Sequence, residues 1–220
     1  MKKLFALFVA AGFLAVSSVH AEVYGFDKAH SQVGFSVKHV LSLVHGEFKD
    51  FDGTIHFDEK KPEASKVDVT IQTASISTDN EMRDHHLQSP DFFDATQFPT
   101  ITFKSTSVAV AGDNHYTVTG NLTMHGVTKS VVLDVNYLGK DSAMGAEVLG
   151  FSASTKIDRR DFGLSWGQDK LTGAGNLVVG NDVTIQLDLS LMSKKALENM
   201  KKMMNKPKPA AAAATPTASN

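Results

Sequence analysis

Strict alternation of apolar and polar residues towards the carboxyl-terminal end is the feature that most constrains how this chain can fold. Every odd position from 183 to 191 is apolar and every even one is polar, in the order Val183, Thr184, Ile185, Gln186, Leu187, Asp188, Leu189, Ser190 and Leu191. Successive side chains of a β-strand point to opposite faces, so this period of two gives one buried and one solvated face. Such a strand is typical of antiparallel sheets.

The same alternation recurs along most of the chain and predicts an all-β fold. Seven further stretches show it, at positions 33–40, 46–58, 66–76, 101–110, 115–124, 131–137 and 149–157. We expect a bulge or a bend in the second of these, at Asp52 and Gly53. Turn-forming residues occupy several of the intervening positions, at 112–114, 125–126, 139–142 and 180–182.

Eight or nine such strands must avoid leaving unpaired sheet edges. Closure into a barrel removes the edges altogether, whereas a sandwich only shortens them. Alternation alone does not distinguish these two architectures. Several of the strands approach ten residues, however, and that length favours an elongated barrel. A barrel of about eight strands either fills with side chains or holds one small ligand.

Two segments interrupt the alternation, and the first predicts a helix. Positions 79–89 have no period of two and many helix-forming residues. Thr78 or Asp79 is the expected N-cap, with an acidic residue in the first turn. The helix should end before the proline that follows, because proline disfavours helical backbone in the residue preceding it. Phe92 and Phe93 come next and suggest an aromatic plug after the helix.

The second interruption covers positions 158–175 and predicts a long loop or a short helix between the last two strands. It contains Arg159, Arg160, Phe162 and the only tryptophan of the chain, Trp166.

The amino-terminal segment predicts a secretory signal peptide. Two lysines precede an apolar run at positions 4–16, and Val19 and Ala21 are the small residues that signal peptidase recognises. The alternative is a membrane anchor, but a spanning helix needs roughly 20 apolar residues and this run is shorter. We expect residues 1–21 to be removed and the mature chain to be exported.

Length and charge predict one domain followed by a basic tail. Residues 22–193 suit a single domain, whose 14 basic and 23 acidic residues give a net charge of −9. This acidic balance argues against a nucleic-acid partner, since phosphate binding needs a basic face. Residues 194–205 suggest a Lys-rich helix, and the Pro/Ala-rich residues 206–220 suggest disorder. The tail, residues 194–220, either contacts an anionic membrane surface transiently or is solvated.

The chain offers only a weak case for catalysis. It lacks a Gly-rich phosphate loop, a Gly-x-Ser-x-Gly elbow and any cysteine. Asp84, His85, His86 and Asp91 lie close together in sequence, and paired carboxylates and histidines can serve as general acids and bases. Nothing in their spacing shows that they converge on one site.

Metal binding is the stronger alternative. Eight histidines follow position 21, and zinc takes three or four nitrogen, sulfur or oxygen ligands. His85 and His86 are adjacent, however, and neighbouring residues of a helix point about 100° apart. The chain contains no His-x-x-x-His pair.

The aromatic residues of the alternating stretches have two interpretations. They either fill a core, as such residues usually do, or line a cavity that shelters a long apolar ligand. The sequence pattern alone does not decide between these two interpretations for Phe35, Phe48, Phe51, Phe103, Phe151 and Trp166.

Motifs spread over most of residues 23–191 resemble those of the YceI family of exported, lipocalin-like bacterial proteins. They are Asp27-x-x-His30-Ser31-x-Val33-x-Phe35, Gly46-x-Phe48-x-x-Phe51-x-Gly53-x-Ile55-x-Phe57-Asp58, Ile76-x-Thr78, Arg83-Asp84-x-His86-Leu87-x-Ser89-x-Asp91-Phe92-Phe93-Asp94, Phe98-Pro99-x-Ile101-x-Phe103, Gly120-x-Leu122-Thr123-x-x-Gly126-Val127-Thr128-Lys129 and Arg160-x-Phe162-Gly163. No single motif is specific, but the set is. The tail lies outside the resemblance.

The resemblance implies an extended antiparallel eight-stranded barrel that holds one long isoprenoid or fatty chain, without a cofactor, a metal or an established reaction. It favours a ligand cavity over a filled core. On this basis we expect the isoprenoid or fatty chain of the ligand to contact Phe35, Val37, Phe48, Phe51, Ile71, Phe103, Leu122, Phe151 and Trp166. The cap or mouth of the barrel is expected to carry Arg83, His86, Phe92 and Phe93.

The function expected from the resemblance is that of a periplasmic protein, monomeric or homodimeric, that sequesters, stores or transports a long apolar ligand. The ligand would be a polyisoprenoid, such as a quinone or a prenyl phosphate, or a fatty-acid derivative. A His-based binder of divalent metals and a lipid-modifying enzyme are the alternatives.

Overall fold

Residues 22–143 and 145–204, the part of the chain that this computed structural model describes, contain eleven β-strands and two α-helices joined by short 3-10 helices and turns. They run in the order β1 Glu22–Phe26, β2 Gln32–His39, β3 Ser42–Phe48, β4 Phe51–Phe57, β5 Lys66–Gln72, β6 Ile76–Ser77, α1 Glu81–Gln88, β7 Thr100–Gly112, β8 His115–Met124, β9 Val127–Ala143, β10 Ala146–Asp158, β11 Val179–Ser193 and α2 Lys194–Met204. The expected signal peptide and the Pro/Ala-rich residues 206–220 lie outside the described residues.

The strands close into an antiparallel barrel. The order around it is β1, β4, β5, β7, β8, β9, β10 and β11, and pairing of β1 with β11 completes the ring. The remaining three strands prolong members of the ring, since β2 also pairs with β11, β3 with β2 and β6 with β3. Each of the pairs β1–β2, β3–β4 and β5–β6 therefore acts as one interrupted strand of the barrel. With the five uninterrupted strands, they give a barrel of eight strand positions, here called staves. The predicted all-β barrel is confirmed.

The interruptions of these three neighbouring staves lie at one level of the barrel. They fall at residues 27–31, at residues 49–50 and at residues 73–75. Backbone hydrogen bonds join two of them, from Lys49 N to the Ser75 carbonyl at 3.1 Å and from Gln72 N to the Asp50 carbonyl at 2.8 Å. The backbone thus remains paired where the staves bend.

The bulge or bend predicted at Asp52 and Gly53 is wrong, because β4 pairs with β5 in continuous register across both residues. The break falls instead before Phe51. Gly53 serves close packing, since a Cβ atom there would lie 2.6 Å from the Asp68 carbonyl and 2.9 Å from the Phe26 ring.

The turn predicted at residues 139–142 is also wrong, because β9 continues through it to Ala143. Gly139 has a φ of +109°, a backbone conformation that favours glycine. The pairing of β9 with β10 shifts register beside it, between Gly150 and Phe151. The backbone conformation of Gly139 therefore belongs to a bulge within a long strand and not to a turn.

The N-cap of helix α1 lies one residue after Asp79 and two after Thr78, the two predicted caps. The cap is Asn80, whose side chain accepts a hydrogen bond from Arg83 N at 3.0 Å. Thr78 is unsuited because its hydroxyl is bonded to Asp84, and Asp79 has a φ of +57°.

The segment after β10 forms a short 3-10 turn, Arg159–Phe162, that ends at Gly163 with a φ of +78°. Turns then lead to β11. Helix α2 follows β11 directly and packs against β1, where a Cβ atom on Gly25 would lie 3.0 Å from the Leu197 side chain. Among residues 22–143 and 145–204, no helix combines the length and apolarity required to cross a membrane.

Candidate functional site

The barrel interior contains an apolar cavity lined by side chains from all eight staves. The volume of this cavity that the centres of water-sized groups can occupy is about 190 Å³. One water needs about 10–15 Å³ by that measure, so the space accommodates on the order of ten such groups. Aliphatic and aromatic residues make up nearly the whole wall, with Ser65 and Thr155 among the few polar contributors.

The alternation of the strands produces this wall. In β11, for example, Ile185, Leu187 and Leu189 line the cavity, while the residues between them face outward. Apolar groups leave water at a gain of about 25 cal/mol per Å² of buried surface. Such a wall therefore favours an apolar chain.

One end of the barrel, here called the α1 end, is covered by α1 and the residues that follow it. The Phe93 ring lies 5.9 Å from that of Phe48, which lines the cavity. Farther out, Phe92 packs 5.0 Å from Trp166, and His86 lies 5.1 Å from the same ring. This cluster joins the α1 segment to the loop after β10.

Arg83 and Asp84 attach α1 to the barrel through the buried Thr78. The Asp84 carboxylate accepts hydrogen bonds from the backbone N–H of Thr78, at 2.8 Å, and from its hydroxyl. Arg83 donates to the Thr78 hydroxyl at 2.7 Å and to its carbonyl at 2.8 Å. Arg83 is thus committed to holding the cap and does not reach the cavity.

Arg159 secures the start of β11 at the α1 end. It is 4% exposed and donates hydrogen bonds to the carbonyls of Leu164, Val179 and Gly180. Burial lowers the pKa of its guanidinium. Arg160, which belongs to the resemblance motif, instead lies at the surface and bonds to Asp158 at 3.0 Å.

The opposite end, here called the α2 end, is closed by aromatic rings and by residues 58–65. The Phe57 ring lies 5.2 Å from both Tyr137 and Phe151, and 6.3 Å from Tyr116. Pro62 and Ser65 of the overlying segment line the cavity.

Two polar contacts fasten this end. Lys140 of β9 pairs with Glu59 of the overlying segment at 2.8 Å. Tyr24 donates a hydrogen bond to Glu147 at 3.0 Å, and the pKa of Tyr24 is raised by burial first and by the neighbouring carboxylates Glu147 and Glu22 second.

The residues expected to bind the ligand separate into three groups. Those that line the cavity are Phe35, Phe48, Ile71, Phe103, Leu122 and Phe151. Those that lie in the cap at the α1 end are Arg83, His86, Phe92, Phe93 and Trp166. Val37 and Phe51 lie outside the wall, Phe51 being 3% exposed and packed on Phe26 at 5.3 Å. Their roles in binding stay predictions.

Much of the wall was absent from that expectation, although most of its residues lie within the alternating stretches. The additional lining residues include Phe26, Val33, Ile55, Phe57, Val67, Val69, Ile101, Val108, Tyr116, Val118, Met124, Val131, Leu133, Val135, Ala153, Ile185, Leu187, Leu189 and Leu191.

The residues considered for catalysis do not converge on one site, and only His86 and Asp91 contact each other. Asp84 is bonded to Thr78, and His86 lies 3.0 Å from Asp91 at the surface. His85 is exposed. For metal binding, the described ranges, 22–143 and 145–204, contain no group of three or more His, Asp or Glu side chains arranged to hold an ion.

A closed antiparallel barrel with an apolar interior defines a class, that of proteins that bind a hydrophobic ligand inside a β-barrel. The chain belongs to the YceI family, since the family's YceI-like domain matches residues 24–191. Protein YceI of Shigella flexneri is 44% identical over 167 residues, which cover 74% of this chain and 87% of that one.

Solved structures share the fold. BcnA of Burkholderia cenocepacia has a TM-score of 0.67 and 30% identity, and the match covers 75% of this chain and 98% of that one. A polyisoprenoid binding domain from Saccharophagus degradans has a TM-score of 0.60 and 17% identity, and it covers 79% and 99% of the two chains. At that identity the likeness is one of fold.

Proposed function

We propose that this protein sequesters, stores or transports one long apolar lipid inside its barrel. The ligand class is a polyisoprenoid, such as a quinone or a prenyl phosphate, or a fatty-acid derivative. The observation that carries the proposal is the cavity, which is closed around its circumference and walled almost entirely by apolar side chains.

The energetics of such a wall suit a long hydrocarbon. Each methylene removed from water contributes about 0.8 kcal/mol, so a chain of many carbons binds tightly with few polar contacts. The same wall discriminates poorly between related tails, because one methylene more or less changes affinity by only about 1–3 kcal/mol.

Fold relatives support this ligand class, since one solved barrel of the same fold is a polyisoprenoid binding domain. A binding role also suits the polar groups near the cap. Arg83, Asp84 and His86 are each engaged in fastening or surface contacts rather than directed at the cavity.

Export and membrane contact complete the proposal. Removal of residues 1–21 would deliver the barrel to the periplasm, where an apolar lipid cannot cross water unaided. Helix α2 exposes Lys194, Lys195, Lys201 and Lys202, and each Lys close to an anionic lipid surface adds roughly 1 kcal/mol of attraction. Transient contact through this helix and the tail would bring the barrel to its lipid source.

Organic extraction of the purified protein followed by mass spectrometry tests the proposal. We expect about one long-chain lipid per protein molecule, released only when the barrel is denatured or extracted. A folded sample that carries no lipid and takes up no added polyprenyl lipid would refute it. A stoichiometric metal in elemental analysis, lost on replacing His85 and His86, would favour the metal alternative instead.

A further inference from the structure

The hydroxyl of Tyr137 is a buried polar atom at the α2 end of the barrel, and its ring packs behind residues that line the cavity. Tyr137 is 6% exposed, and among residues 22–143 and 145–204 its hydroxyl finds no hydrogen-bond partner. Nearly all buried polar groups of folded proteins are satisfied, because leaving one unpaired is costly. The bound ligand is a candidate for the missing partner.

The position of Tyr137 favours a contact with the ligand. Its ring lies 5.0 Å from Phe151 and 5.2 Å from Phe57, and both of those residues line the cavity. Tyr137 also follows Leu133 and Val135 on the inward face of β9, one step closer to the barrel end. A ligand that fills the cavity and extends past Phe57 would meet this hydroxyl.

The charges around Tyr137 distinguish between kinds of polar ligand group. Burial, and then the negative charge of Glu59, raise the pKa of Tyr137, so its hydroxyl stays protonated and serves as a donor. Glu147 also acts on Tyr137, and Glu59 and Glu63 act on the neighbouring Tyr116. The nearby cation, Lys140, is already paired with Glu59.

We infer that the α2 end holds the polar end of the ligand, and that Tyr137 donates a hydrogen bond to an uncharged carbonyl-type oxygen there. The acidic surroundings disfavour an anionic phosphate at the same place. This inference rests on the proposed function, and it selects a carbonyl-headed isoprenoid such as a quinone over a prenyl phosphate.

Three probes that share one polyprenyl tail test the inference. They end in a benzoquinone, in hydrogen and in a monophosphate. We expect wild-type protein to prefer the quinone, and Tyr137→Phe to bind it roughly five- to tenfold more weakly, the value of one neutral hydrogen bond. Binding of the headless tail should not change, and the melting temperature of the variant should not fall.

Tyr24→Phe is the matched control, because it removes a buried tyrosine hydroxyl at the same end of the barrel that is already bonded to Glu147 at 3.0 Å. It should lower the melting temperature without changing the ratio of quinone to headless affinity. Ring-labelled tyrosine NMR of the wild-type protein gives a second readout. Only the quinone probe should shift the resonance of Tyr137.

Several results would overturn the inference. They are an unchanged quinone affinity in Tyr137→Phe, an equal loss for the headless tail, a Tyr137 resonance that ignores the quinone, or phosphate binding as tight as quinone binding. Failure of the headless tail to bind wild-type protein would refute the proposed function instead.

Discussion

A larger side chain in the cavity wall should weaken binding of an isoprenoid tail. It should also lower the tail length beyond which further isoprene units no longer increase the affinity. Ala153 of β10 lines the cavity and is 8% exposed. The Ala153→Phe substitution places six ring carbons in a space that accommodates on the order of ten water-sized groups. The ring would thus take up about half of the room that the ligand uses.

The size of the effect follows from the displaced surface. Six carbons at about 0.8 kcal/mol each set an upper limit of about 5 kcal/mol. Neighbouring side chains repack around an added ring, so we expect a loss of about 2–3 kcal/mol, which weakens binding roughly 30- to 150-fold. Ser154→Phe adds the same ring to an exposed position of the same strand and should leave affinity unchanged.

The assay is equilibrium binding of headless polyprenes of increasing length to both variants and to the wild-type protein. Affinity should rise with each isoprene unit and then level off, and it should level off at a shorter tail for Ala153→Phe. If a folded Ala153→Phe protein binds every tail as the wild type does, the cavity is not the binding site. Circular dichroism and thermal melting establish that the variant is folded.

Two further predictions concern the closed ends of the barrel. All three tyrosines of the chain, Tyr24, Tyr116 and Tyr137, have a pKa raised mainly by burial. The stability that these tyrosines contribute is therefore complete below about pH 10 and is lost as pH rises towards their folded-state pKa values. Tyrosinate absorbance should accordingly titrate above pH 10 in the folded protein and near pH 10 in the protein unfolded in urea. Titration of all three near pH 10 without unfolding would contradict this. Arg159→Met should cost about 2–4 kcal/mol in urea unfolding because three backbone carbonyls lose their donor, whereas Arg160→Met should shift the midpoint little. Equal shifts for the two variants would show that the buried contacts are not responsible.

Local pattern predicted most of the strands, and its failures have physical causes. The bounds of β8 agree with the expected stretch at both ends because ten alternating residues are flanked by turn-forming ones. β1 went unpredicted, since only Tyr24 and Phe26 mark its inward face. Strand β9 continues through a Gly-containing stretch because β10 pairs with it from Gly139 to Ala143, beyond the point where its pairing with β8 ends at Asn136.

The sequence pattern could predict which residues of the candidate site face the barrel interior, but not which of them reach the cavity. Alternation identifies Phe35 and Phe103 as inward residues, and both line the cavity. Phe51 is buried too, yet it lies beside the bend before β4 and packs on Phe26 instead. Whether an inward side chain reaches the cavity depends on residues across the barrel, which no local pattern records. The same long-range contacts decide that the Tyr137 hydroxyl has no hydrogen-bond partner within residues 22–143 and 145–204.

Native mass spectrometry of delipidated protein mixed with a polyprenyl-tailed quinone tests the central claim most directly. We predict one lipid adduct per chain for the wild-type protein and for Ser154→Phe, and a strongly reduced adduct for Ala153→Phe. A folded wild-type protein that forms no adduct, or one whose adduct is unaffected by Ala153→Phe, would contradict binding inside the barrel.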